Sequence, residues 1–171
     1  GRTVVASAAC WWMARRLYPV NWWKPARLRS VWPLLRFGSL DLSARWADYL
    51  QEMINGRGSQ LWEKEGLAAR WDMETASLGY AQTGMSMDDK VAMTLRMPSK
   101  ELLLDYARRA FSAAQCAVEG ISDKEFYKIY EGFHGENWHD GHIGPIISTW
   151  MTHDNRHLGM IECLVGVQGI H

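Results

Sequence analysis

The sequence predicts an all-α protein, and three observations carry that prediction. Its long periodic segments repeat apolar residues every three to four positions, clean period-two alternation is absent, and each segment is bounded by helix-start or helix-stop residues. The 171 residues are 47% hydrophobic. That suffices for one sizeable core and is too short for two ordinary domains, so a single domain over residues 1–171 is expected. Four long helical segments predict a four-helix bundle with short extra helices.

The first long helix is expected before residue 20, in a segment of unusual charge. Residues 1–40 hold seven Lys or Arg and no acid, whereas residues 41–171 hold twelve and nineteen. Such a beginning can mark a transit peptide, a membrane-surface helix or a nucleic-acid arm. Trp11, Trp12, Trp22, Trp23 and Trp32 favour instead a packed aromatic helix whose arginines extend to water. These tryptophans are expected to be buried in the bundle and in a homodimer interface.

The second long helix is expected near 34–55, in "PLLRFGSLDLSARWADYLQEMING". Leu35, Leu42, Trp46, Tyr49 and Met53 share one side, and Asn55-Gly56 is the stop. Residues 56–98 then form a 43-residue connection, far beyond the ~2–8 residues of a tight helix–helix turn. It is expected to cross the bundle, setting the second and third helices roughly parallel. Short helices are expected in "SQLWEKEGLAARW" and, after a Ser86 cap, in "MDDKVAMTL".

The third long helix, near 99–119, starts at Ser99 and buries Leu103, Tyr106, Ala110, Ala114 and Ala117 before Gly120. "SDKE" at 122–125 is a capping box, with Ser122 as N-cap and Glu125 three residues on. A polar, glycine-rich loop, "EGFHGENWHDGHIG", precedes the final helix near 145–165. Gly144-Pro145 should start that helix and Gly166 stop it.

Several function classes are disfavoured. No apolar run approaches the ~18 residues of a membrane span. Cys10, Cys116 and Cys163 are odd in number and widely spaced, which suggests neither a disulfide framework nor a thiolate zinc site and makes the cytoplasm the default. There is no glycine-rich phosphate loop. Basic residues of the long helices are interleaved with acids, so nucleic acid is not an expected partner.

The chemistry concentrates in "THDNRHLGMIE", residues 152–162. Positions 146, 150, 153, 157, 161 and 164 fall in one helical stripe, which places His153 and His157 among Ile146, Trp150, Ile161 and Leu164. Two imidazoles one turn apart present nitrogens to the same point, as a bound metal requires. The same spacing also suits two core histidines hydrogen-bonded to their neighbours. The segment has the outline of the zincin HExxH motif, but Asp154 stands where the catalytic glutamate belongs and no third ligand follows at that spacing. Asp154 is instead expected on the helix surface or as an acceptor behind a ligating imidazole. His139 and His142 lie in the glycine-rich loop and read as solvated residues, and Cys163 is expected to pack.

"HDNRHLGMIECLVGVQG" resembles the C-terminal helix of the DinB-like family, four-helix-bundle metalloenzymes in which the histidines of such an H-x-x-x-H pair hold a metal. The stretch from "QLWEKEGLAARW" to "LLLDYARR" resembles that family's crossover and third helix, so similarity covers most of residues 39–171. The resemblance implies that His153 and His157 are metal ligands and that Trp62 and Glu63, with Trp150, border the pocket. The family's third ligand is a histidine about fifteen residues before the glycine that ends helix two. "LDL" at 40–42 occupies that place here, so the position falls on Asp41, a carboxylate able to ligate zinc, iron, manganese or nickel. A second departure is the segment 1–38, which lacks the acidic, leucine-rich first helix of the family.

Together these readings imply a metal-dependent enzyme acting on a small-molecule substrate. It would transfer sulfur from a bound low-molecular-weight thiol or hydrolyse its substrate with metal-bound water. The alternative is a non-catalytic bundle for binding or dimerisation whose metal site has degenerated.

Overall fold

The computed structural model describes residues 39–56, 58–129 and 142–167. The expected first helix and its tryptophans, and His139, lie outside the described residues. Among those described the protein is mainly helical and has no strand; its only β-type pairings are the isolated bridges Tyr80–Met85 and Ile129–His142. Three long helices dominate: α1 (Ser39–Asn55), α5 (Lys100–Gly120) and α7 (Ile143–Val167). Between α1 and α5 lie α2 (Leu61–Lys64), α3 (Leu67–Arg70), a 3-10 turn (Thr75–Ser77) and α4 (Asp89–Thr94). The single turn α6 (Asp123–Phe126) precedes α7. No helix among the described residues is long and apolar enough to cross a membrane.

Helix α1 is the centre of the structure. It packs most extensively on α5 and also against α7. The expected stripe Trp46, Tyr49, Met53 is buried, but so is every other residue from Ser43 to Met53, including Arg45, Asp48, Gln51 and Glu52. A helix buried all round ordinarily carries only apolar side chains. Here the connection between α1 and α5 supplies polar partners for several of the rest.

Helix α5 follows its sequence signals closely. The Ser99 hydroxyl accepts from Leu102 N–H as N-cap. The predicted stripe Leu103, Tyr106, Ala110, Ala114, Ala117 is buried, together with Leu104, Ala107, Phe111 and Val118. The small alanines allow α1 and α5 to approach closely. The Ser122–Glu125 capping box is formed in both directions, and the hydrogen bonds from Ser122 hold the Glu125 carboxyl below its ordinary range.

Three boundaries differ from expectation. "SQLWEKEGLAARW" breaks into α2 and α3 because Gly66 adopts a left-handed conformation, φ 59°, which a helix cannot continue through. The cap of α4 is Asp88, whose side chain accepts from Lys90 and Val91 N–H, while Ser86 sits in a positive-φ turn. Helix α7 begins at Ile143 rather than Pro145 and continues through Gly166. Proline tolerates the first turn, where its missing N–H has no intrahelical partner to lose.

Candidate metal centre

The final helix buries Ile143, Ile146, Ile147, Trp150 and Asp154. His153 and His157 stand at the edge of that face, half-buried. The side chains of Ile161 and Leu164 lie outside the described residues. The tilted ring of His153 packs on Trp46 of α1 with centroids 5.8 Å apart. Trp46 packs edge-on against Tyr49, and Tyr49 against Tyr80 of the connection between α1 and α5. An aromatic chain thus runs from the histidines through α1 to that connection. Trp150 contacts Phe111 of α5 on the other side.

One helical turn brings the two imidazoles together as expected: their Nε2 atoms are 3.1 Å apart and their rings meet edge-on, centroids 4.4 Å apart. A cation ~2.0–2.1 Å from both nitrogens would see an N–metal–N angle of roughly 95–102°, between octahedral and tetrahedral values. The donor pair therefore fits a divalent first-row metal. Burial, reinforced by the charges of His153 and Arg156, lowers the His157 pKa to about 4. At neutral pH its imidazole is uncharged, the form that ligates.

No group of three His, Cys, Asp or Glu able to hold a metal occurs among the described residues. The backbone of Asp41 lies in the first turn of α1, while its side chain lies outside the described residues. Asp154 is not on the helix surface: it is 5% exposed and lies near Ser43 of α1. Its Oδ1 is 3.9 Å from His153 Nδ1, too far for a hydrogen bond. Neither Asp154 oxygen has a hydrogen-bond partner, nor have Trp150 Nε1, His153 Nδ1 and His157 Nδ1. Burial pushes the Asp154 carboxyl up, against the weaker pull of nearby His153 and Ser43.

The remaining site residues are dispersed. Trp62 is buried in the core, edge-on to Trp71 and tilted against Tyr106, and Glu63 is exposed beside it. His142 is tied by Nδ1 to the Tyr127 carbonyl oxygen, 3.0 Å away. Cys163, expected to pack, is exposed.

The largest feature that sequence reading missed is polar. Every N–H of the Arg45 guanidinium is used: Nε donates to the Gln82 carbonyl, Nη1 to Asp48 and the Tyr106 hydroxyl, and Nη2 to Gln60 Oε1 and the Ala81 carbonyl. The same guanidinium lies 4.5 Å above the Trp62 ring. Asp48 accepts from Gln51, from Tyr106 and from the backbone N–H groups of Leu61 and Trp62. It thereby caps α2 from another helix, since Gln60, the N-cap residue, makes no capping bond. Gln60 in turn donates to Glu52, whose other oxygen accepts from Gly58 N–H. The available signal was an Arg–Asp pair at i,i+3 inside an apolar helix next to a long connection. No family model, curated protein or solved structure matches the chain.

Proposed function

We propose that this protein is a metal-dependent enzyme of the DinB-like class, acting on a small molecule in the cytoplasm as a homodimer. The observation that carries this reading is the convergence of His153 Nε2 and His157 Nε2 at 3.1 Å, one face of a bound ion's coordination sphere. Asp41 is the proposed third ligand, from the first turn of α1, the helix that packs against α7. The proposed bundle adds to α1, α5 and α7 a fourth long helix from the first twenty residues, with the crossover running along its length.

A divalent ion held this way, whether zinc, iron, nickel or manganese, acts as a Lewis acid that lowers the pKa of a bound thiol or water. Thiol S-transfer is the preferred reaction and hydrolysis the second. In either, Trp46 shields one side of the site and Trp150 excludes water from the helix interface below it. Metal content of protein purified without an affinity tag tests the reading. About one divalent ion per chain is expected, and His153→Ala or His157→Ala should remove it.

One observation favours a non-catalytic alternative. At 3.1 Å the two Nε2 atoms also serve each other as donor and acceptor, so those two nitrogens find a partner without an ion. Wild-type protein that takes up no divalent metal at micromolar concentration would establish that alternative, a binding or dimerisation bundle.

A further inference from the structure

The connection between α1 and α5 contains a tight hairpin whose tip carries residues ill suited to its shape. Gly84 N–H donates to the Leu78 carbonyl oxygen, Tyr80 N–H to that of Met85 and Thr83 N–H to that of Tyr80. Ala81 and Gln82 are left as two consecutive tip residues in the left-handed region, φ 46° and 56°. Such tips ordinarily carry Asn-Gly, and a residue with a Cβ is disfavoured there by its contact with the following carbonyl. We infer that residues 78–87 are a strained latch, held shut by Arg45 and Trp62 and able to open as a unit while α1 and α5 stay folded. The inference goes beyond the metal reading and is independent of it.

A strained backbone persists only where its surroundings hold it, and the hold here comes from buried side chains. Arg45 Nε donates to the Gln82 carbonyl oxygen at 2.9 Å, and Nη2 to that of Ala81 at 3.2 Å. Both left-handed residues thus rest on one charged guanidinium, whose hydrogen bonds are stronger than those of a neutral donor. Trp62 Nε1 donates to Gln82 Oε1 at 2.7 Å, and the Tyr80 ring meets Tyr49 of α1 edge-on. Burial of the hairpin is shallow. From Leu78 to Met87 only Leu78 and Thr83 are buried, whereas every residue of α1 from Ser43 to Met53 is. Strain and shallow burial together lower the free energy of local opening below that of the helices. When the hairpin lifts, its tip relaxes to ordinary dihedrals, and Arg45 Nε, Arg45 Nη2 and Trp62 Nε1 exchange their hairpin acceptors for water. The latch thereby decides whether the polar joint between α1 and α5 is sealed or wetted.

Hydrogen exchange of the full chain, followed residue by residue in low concentrations of urea, tests the inference. The amides of Tyr80, Thr83 and Gly84 should exchange faster than those of α1 and α5 and depend little on urea, because a local opening exposes little surface. Ala81 is exposed, so a substitution there acts through the backbone preference of the tip. Ala81→Asn tolerates the left-handed region and should slow exchange of the three amides about 5-fold. Ala81→Val, β-branched and an outlier at positive φ, should speed it by a similar factor. Gln82→Ala, which takes the acceptor from buried Trp62 Nε1, should also speed it. Wild-type hairpin amides that exchange at the rate and urea dependence of α1 overturn the inference, because the hairpin then opens only with the whole protein. So do Ala81→Asn and Ala81→Val proteins whose hairpin exchange matches wild type, because the tip then stores no strain.

Discussion

The Tyr106 hydroxyl of α5 lies 3.0 Å from Asp48 Oδ2 of α1, meeting there a carboxylate that also caps α2 and neutralises the buried Arg45. Two long helices and the connection between them are joined at a single side chain. Its removal would strand a guanidinium that is 2% exposed.

Asp48→Ala should therefore destabilise the protein by about 3–5 kcal/mol, the cost of leaving one partner of a buried ion pair uncompensated. Tyr106→Phe, which removes one hydroxyl and leaves the ion pair, should cost about 1–3 kcal/mol. Urea unfolding of each single variant and of the double variant checks both. Because the residues share a network, the double variant should lose less than the sum. Additive losses would show that the two groups act independently.

At the metal centre, His153→Ala and His157→Ala should abolish ion binding, and Asp41→Ala should weaken it severely. Asp41→His, which supplies a third imidazole, should tighten it. Substituting His139 should change little. Calorimetric titration with Zn²⁺ distinguishes these outcomes, and an Asp41→Ala protein with wild-type affinity would remove Asp41 from the ligand set.

Two titratable groups of α7, half-buried His157 and buried Asp154, make opposite contributions to acid stability in the metal-free protein. His157 has a folded pKa of about 4, below its ordinary 6.5, so the unfolded chain binds the extra proton first. Stability is lost as pH falls from about 6.5 toward 4. The Asp154 carboxyl is raised above 3.8, so the folded chain binds that proton more tightly, and stability is lost as pH rises through its folded pKa. Urea midpoints measured from pH 7 to pH 4 should fall less steeply in His157→Gln than in wild type. Asp154→Asn should raise the midpoint most at neutral pH, and the gain should fade toward pH 4.

Two glycines of α7 predict opposite results from the same substitution. A Cβ at Gly144 would sit 2.4 Å from the Phe126 ring of α6, so Gly144→Ala should destabilise by about 1–3 kcal/mol through overpacking. A Cβ at Gly159 meets nothing within 4 Å. Gly159→Ala should stabilise by about 0.5–1 kcal/mol, because alanine loses less backbone freedom in a helix. Thermal unfolding of the pair checks the sign of each.

The sequence by itself determined the helical class, the extents of α1 and α5 over their described residues, the buried face of α5, the capping box at Ser122 and the meeting of His153 with His157. Each is a local property. Periodicity, capping chemistry and i,i+4 geometry act within a few residues along the chain and need no knowledge of what lies opposite. The same locality explains the errors. The stripe through 146, 150, 153 and 157 was read one step off the face centred on Ile147, Trp150 and Asp154, which left the helix surface as one of two places expected for Asp154 when it is buried.

What only the tertiary structure decided is where the polar side chains of α1 go. Nothing near Arg45 or Asp48 in sequence announces that Gln60, the carbonyls of Ala81 and Gln82, and Tyr106 will reach them across 15 to 61 residues. A charge is buried only where distant partners meet all its hydrogen bonds at once, and that arrangement exists only after the connection between α1 and α5 has folded onto the helix. Periodicity therefore assigns α1 one buried side, while the folded chain covers the others and turns its charged residues into the joint between helices.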